Sequence, residues 1–258
     1  MPTRDSYAQG TPNWVDLQTT DQPAAKAFYA GLFGWTYDDQ PMDGGAVYAI
    51  AKLGDASIAA IAPQSPELAA AGAPPMWNTY LAVDSVDAAT AKVGPAGGTV
   101  AMEPFDVMDA GRMSFVMDPS GAAVALWQAG QHIGSGLVNE PGTVIWNELI
   151  TDDPAAVSFY EQVLGLTAAT ADMGGNKYTL LQVAGKEVAG TTQPQMEGVP
   201  NHWHVYFSVA DADASAAKIT ELGGSVMVAP FDTPIGKMAV VTDPQGAVFS
   251  LFQASTPA

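Results

Sequence analysis

The chain carries one pattern twice, and this duplication limits what it can fold into more than any other feature. Trp14-Val-Asp-Leu-Gln-Thr recurs as Trp146-Asn-Glu-Leu-Ile-Thr at an offset of 132 (146 minus 14). Ala24-Ala-Lys-Ala-Phe-Tyr recurs as Ala155-Ala-Val-Ser-Phe-Tyr at 131 (155 minus 24). Trp77-Asn-Thr-Tyr-Leu-Ala-Val matches Trp203-His-Val-Tyr-Phe-Ser-Val, and Asp118-Pro-Ser-Gly matches Asp243-Pro-Gln-Gly. A length of 258 residues agrees with two domains. The expected division is an N-terminal arm over 1–10, domains over 11–128 and 143–258, and a connector over 129–142. That connector holds four glycines and a proline, as a linker should.

Within each copy the apolar period switches between 2 and 3.6, which predicts strands and helices in series. Trp14 to Thr19 alternates as a strand, and Pro23 opens a helical run through Ala24, Ala27, Phe28 and Leu32 that stops at Gly34. Strands are expected near 47–51, 58–62, 79–83, 99–102, 113–117 and 123–127, with a second helix over 86–93. The second copy repeats this order. The fold class is therefore α+β, with each copy reading as two successive βαβββ modules.

Composition narrows the partners. Nine Lys and Arg stand against 27 Asp and Glu, a net charge of -18 that repels nucleic acid and anionic membranes. Cysteine is absent, so disulfides, thiolate metal ligands and cysteine nucleophiles are excluded. The N-terminal stretch has no apolar core of the signal-peptide kind, and a cytoplasmic protein is expected. Phosphate-loop and Gly-x-Ser-x-Gly motifs are missing.

The order of strand, Ala-Ala-x-x-Phe-Tyr helix, Leu-Phe-Gly-Trp or Val-Leu-Gly-Leu, second-module strand and terminal Asp-Pro-x-Gly turn resembles the vicinal oxygen chelate superfamily of glyoxalases, bleomycin-resistance proteins and dioxygenases. Gly10-Thr-Pro-Asn-Trp-Val-Asp-Leu-Gln and Pro200-Asn-His-Trp-His-Val-Tyr-Phe resemble, more narrowly, actinobacterial tandem glyoxalase-like proteins, a group that includes a mycobacterial antigen. The resemblance implies four modules forming two cup-shaped mixed sheets, with ligands on the concave faces and helices outside. It also implies metal ligands on the strands. The implied positions here carry Trp14 or Trp146, Asn78 or His204, and Ala125 or Ser250. Tryptophan and alanine cannot ligate an ion, so no cofactor is expected, although a divalent metal held by other residues stays open.

Strand alternation places Trp14 and Asp16 on one face, and Trp146 and Glu148 likewise. Asn78 with Tyr80, His204 with Tyr206, and Trp127 or Phe252 fall on the same cup faces. Aromatic rings around one carboxylate suit a flat or amphipathic small ligand, or else fill the cup as core. Asp16, Glu148 and His204 are the candidate catalytic groups, because burial among aromatics moves a carboxyl toward the acid–base range. His204 with Glu148 is a candidate acid–base couple found in the second copy alone. Arg112 and Lys237 match across the repeat and either contact a ligand or pair with the acidic surface. Three functions follow: a metal-independent binder, a lyase, hydroxylase or dioxygenase of the superfamily, or a surface recognised by other proteins. A monomer is expected, since two copies supply module pairing within one chain.

Overall fold

The computed structural model describes residues 3–173, 176–196 and 198–255. The first half begins with β1 (Pro12–Thr19), α1 (Gln22–Phe33), β2 (Thr36–Pro41), β3 (Val47–Leu53) and β4 (Ala56–Pro63). A short α2 (Pro66–Ala70) leads to β5 (Met76–Ala82), α3 (Val86–Val93), β6 (Thr99–Val107), β7 (Gly111–Met117) and β8 (Ala123–Ala129). The second half repeats this as β9 (Val144–Ile150), α4 (Ala155–Leu164), β10 (Thr167–Met173), β11 (Asn176–Val183) and β12 (Lys186–Thr192). Its second module is β13 (His202–Ser208), α5 (Ala212–Glu221), β14 (Ser225–Thr233), β15 (Gly236–Thr242) and β16 (Val248–Ala254).

Each half makes one eight-stranded mixed sheet, and the two share one strand order, β2-β3-β4-β1-β5-β8-β7-β6 and its counterpart. The α+β class and the two cups agree with the sequence. The first strands of the two modules, β1 and β5, pair antiparallel at the centre, with Asp16 opposite Asn78 and Trp14 opposite Tyr80. Each is flanked by the parallel last strand of its own module. That arrangement brings the middles of β1, β5 and β8 to the floor of one cup.

Local signals explain the helices. The Asp21 carboxylate caps α1 by accepting from the Ala24 amide at 3.0 Å, and Gly34 ends the helix with a φ of 75° that suits glycine. Strands β2 and β10 were absent from the sequence expectation. β2 is an edge strand of sequence Thr-Tyr-Asp-Asp-Gln-Pro with no buried residue, so it has no apolar alternation to read.

The helices lie on the convex side of each sheet, where they meet the other domain. Phe28 and Tyr29 of α1 pack in one core with Val205, Phe207, Phe249 and Leu251 of the second sheet. Phe159 and Tyr160 of α4 pack with Leu81, Val124 and Leu126 of the first. Each such buried side chain contributes about 1.5–3 kcal/mol. At Gly98 a Cβ would collide with the Phe159 ring and the Met117 carbonyl, so this glycine is needed for the close approach of the two domains. No described helix is long and apolar enough to cross a membrane.

Candidate functional site

The two cups share a floor plan. In the first, the Asp16 carboxylate is buried and receives three donors: Asn78 Nδ2 at 2.8 Å, the Tyr80 hydroxyl at 2.6 Å and the Tyr48 hydroxyl at 3.1 Å. Tyr48 also accepts from Trp14 Nε1 at 2.9 Å. In the second, Glu148 accepts from the Tyr206 hydroxyl at 2.7 Å, and Tyr178 stabilises it as well. Trp146 Nε1 donates to Tyr178 at 2.9 Å, as Trp14 does to Tyr48. Burial raises the pKa of both carboxyls above the usual range, and the tyrosine donors oppose that rise.

The contents of the cups differ. In the first, Trp14, Tyr80, Met113 and Trp127 form a packed cluster with Ala60 and Ala125. The linker closes it: the His132 ring lies edge-on to Trp14 at 4.4 Å, and its carbonyl accepts from Trp127 Nε1 at 2.8 Å. Burial lowers the His132 pKa to about 4, so the ring is neutral at ordinary pH. In the second, Phe252 stands where the first has Trp127, and a cavity of about 380 Å³ remains. It is lined by Trp146, Tyr178, Tyr206, Phe252 and Met238 around Glu148. A larger hollow of about 620 Å³, near the 193–201 loop, has no aromatic side chain among its described lining residues and lies away from both carboxyls.

The structure thus gathers Trp14, Asp16, Asn78, Tyr80 and Trp127 in one cup, and Trp146, Glu148, Tyr206 and Phe252 in the other. It does not join His204 to Glu148. The two are opposed in register, but His204 Nε2 bonds the Ser250 hydroxyl at 2.8 Å, and burial lowers the His204 pKa to about 3. His202 starts β13 and bonds the Pro200 carbonyl through Nδ1. Of the two expectations for Arg112 and Lys237, the structure shows the pairing with acidic side chains. Arg112 pairs with Asp87 and Asp106, and Lys237 with Asp213 at 2.6 Å, all exposed acids outside the cups. Alternation already separates them from the inward Met113 and Met238 beside them.

Three participants were missed. Tyr48 and Tyr178 match across the repeat at an offset of 130 (178 minus 48), a signal that comparison of the third strands would have found. His132 lies in the linker, where no repeat partner marks it.

The model of the glyoxalase/bleomycin resistance protein/dioxygenase superfamily matches residues 11–126 and 144–251. The chain belongs to that superfamily. The candidate glyoxylase CFP32 of Mycobacterium tuberculosis is 58% identical over 257 residues, covering 98% of each chain. The anthracycline biosynthesis protein DnrV of Streptomyces peucetius is 39% identical, covering 96% of this chain and 94% of its own. Among solved structures, the Mn(II)-bound glyoxalase from Novosphingobium aromaticivorans superposes with a TM-score of 0.65 at 19% identity, over 96% of this chain and 83% of that one.

Superfamily membership raises the question of an ion, and so of which donors each cup offers. The Asp16 oxygens are both engaged by neutral donors, and Tyr80 is paired in register with Ala125, which has no donor atom. In the second cup the carboxylate expected beside His204 is Ser250. Among the described residues, no three His, Cys, Asp or Glu side chains converge as an ion requires. These residues do not fit the ligand set that the superfamily resemblance implies.

Proposed function

We propose that the second cup binds a small planar aromatic or amphipathic metabolite without a divalent ion, in the manner of a bleomycin-resistance protein. The observation that carries this reading is the cavity of about 380 Å³ walled by Trp146, Tyr178, Tyr206 and Phe252, where the matched first cup is filled by its own side chains. That volume lies in the usual range for small-ligand sites, about 300–1,000 Å³. Aromatic walls give stacking area, and the Glu148 carboxyl and two phenols give polar edges that orient a ligand. The name of DnrV agrees, since anthracyclines are flat fused-ring molecules. In this reading the protein acts as a monomer, because its two domains already complete each other's cores.

The test uses protein purified without added metal, assayed for divalent ions, then titrated with a hydroxyanthraquinone in chelator while tryptophan fluorescence is followed. Saturable binding that Trp146→Ala abolishes and Trp14→Ala leaves intact is expected. A stoichiometric ion whose removal abolishes binding would overturn the reading.

One observation favours a second reading. Glu148 lines the cavity and its pKa is raised by burial, which suits a general acid or base acting on a bound carbonyl. A lyase or oxidoreductase of this kind would use Glu148 without His204. Loss of turnover in Glu148→Gln, with binding retained, separates it from simple sequestration.

A further inference from the structure

The second cavity is acidic as well as aromatic. Glu148 lies deep in it at 7% exposure, and the exposed Glu187 lines the same space from the start of β12. Four aromatic rings surround these acids: Trp146, Tyr178, Tyr206 and Phe252. Among the described residues, no Lys, Arg or His lines the cavity. Lys237, next to the lining residue Met238, is held by Asp213 outside the cup.

This combination discriminates by charge. The face of an aromatic ring is electron-rich and attracts a cation, and the attraction grows when water is excluded. A carboxylate in a low-dielectric wall adds to it. An anionic ligand would meet two acids with no compensating base among the described lining residues. The first cup shows how such a floor plan seats a ring: the His132 imidazole, a nitrogen-containing aromatic, lies edge-on to Trp14, the counterpart of Trp146.

We infer that the second cup selects a planar aromatic cation, a fused-ring system with an amine or ring nitrogen, seated against Trp146 with its charge toward Glu148 and Glu187. The inference rests on the reading of this cup as a ligand site and adds the charge of the ligand to it.

N-methylacridinium and acridine test the two parts separately, because they share a ring system and acridine is uncharged at neutral to mildly alkaline pH. Fluorescence titration of each into the full chain is expected to show the cation binding about tenfold more tightly, the ratio that one cation–aromatic contact supplies. Glu187→Gln, on an exposed side chain that leaves the core untouched, should reduce this ratio. Trp146→Ala should abolish binding of both probes. Equal or tighter binding of acridine overturns the charge selection and leaves the ligand site standing. Binding of neither probe overturns the ligand site as well. Cation binding that survives Trp146→Ala places the cation on the acidic surface and overturns the inference.

Discussion

The Tyr29 hydroxyl donates to Asp243 Oδ2 at 3.2 Å across the domain boundary, a contact spanning 214 positions of the chain. The Tyr29 hydroxyl oxygen in turn accepts from Trp77 Nε1 at 3.0 Å. The repeat builds the mirror relationship, with Trp203 donating to Tyr160 at 2.8 Å and Tyr160 to Asp118 at 3.0 Å. The Phe-Tyr helix, the second-module tryptophan and the Asp-Pro-x-Gly turn are therefore parts of one device, used twice, that fastens each domain to the other.

Tyr29→Phe and Tyr160→Phe should each lower stability by about 1–3 kcal/mol, because a buried Trp N–H and a carboxylate lose their shared partner. Urea denaturation of both variants measures this. Midpoints equal to that of the wild type would mean that the phenols are incidental to domain docking.

Gly190 faces Glu148 in the register of β12 and β9, and a Cβ there would collide with the Tyr178 hydroxyl. Gly190→Ala should displace that phenol from Trp146 and Glu148, weakening ligand binding several-fold while the circular dichroism spectrum is retained. The tryptophan emission of Trp146 should shift with it. An unchanged spectrum and affinity would show that Tyr178 does not order the cup.

Glu148 has a folded pKa above its ordinary value of 4.5 because it is buried, with Tyr178, Tyr206 and Glu187 facing it. The folded state then holds the proton longer than the unfolded chain does. Stability contributed by the protonated carboxyl is fully present below about 4.5 and is lost as pH rises through the folded pKa. Glu148→Gln cannot ionise, so its melting temperature should gain on the wild type with rising pH. A constant difference across the series would count against a raised pKa.

His132 gives the opposite sign. Its pKa is lowered to about 4, whereas the unfolded side chain takes up its proton near 6.5. Stability should fall as pH drops from about 6.5 to about 4, and His132→Asn should remove that part of the slope. The same variant tests the seal on the first cup, since a planar probe excluded by the wild type should gain access there.

Much of this was legible in the sequence, for physical reasons. Period-two alternation fixes which face of β1 carries Trp14 and Asp16, and the duplication repeats that assignment at Trp146 and Glu148. Tyr48 and Tyr178 escaped because their approach to the carboxyl depends on two further strand pairings, β3 with β4 and β4 with β1. His204 was placed on the right face with the wrong partner: register puts it opposite Glu148, but the side chain reaches the neighbouring parallel strand and Ser250. Asymmetry between the cups was only partly readable. It depends on a linker residue, and a linker has no periodicity from which its destination can be read.

The shared core between the domains also bears on how the chain acquires its structure. Phe28 and Tyr29 are synthesised well before Phe207, Phe249 and Leu251 of the second sheet, which complete their core. Until the second half is made, the side of α1 that meets the second sheet stays uncovered. A product truncated after the first sheet would therefore be left with an exposed apolar helix face rather than one finished domain.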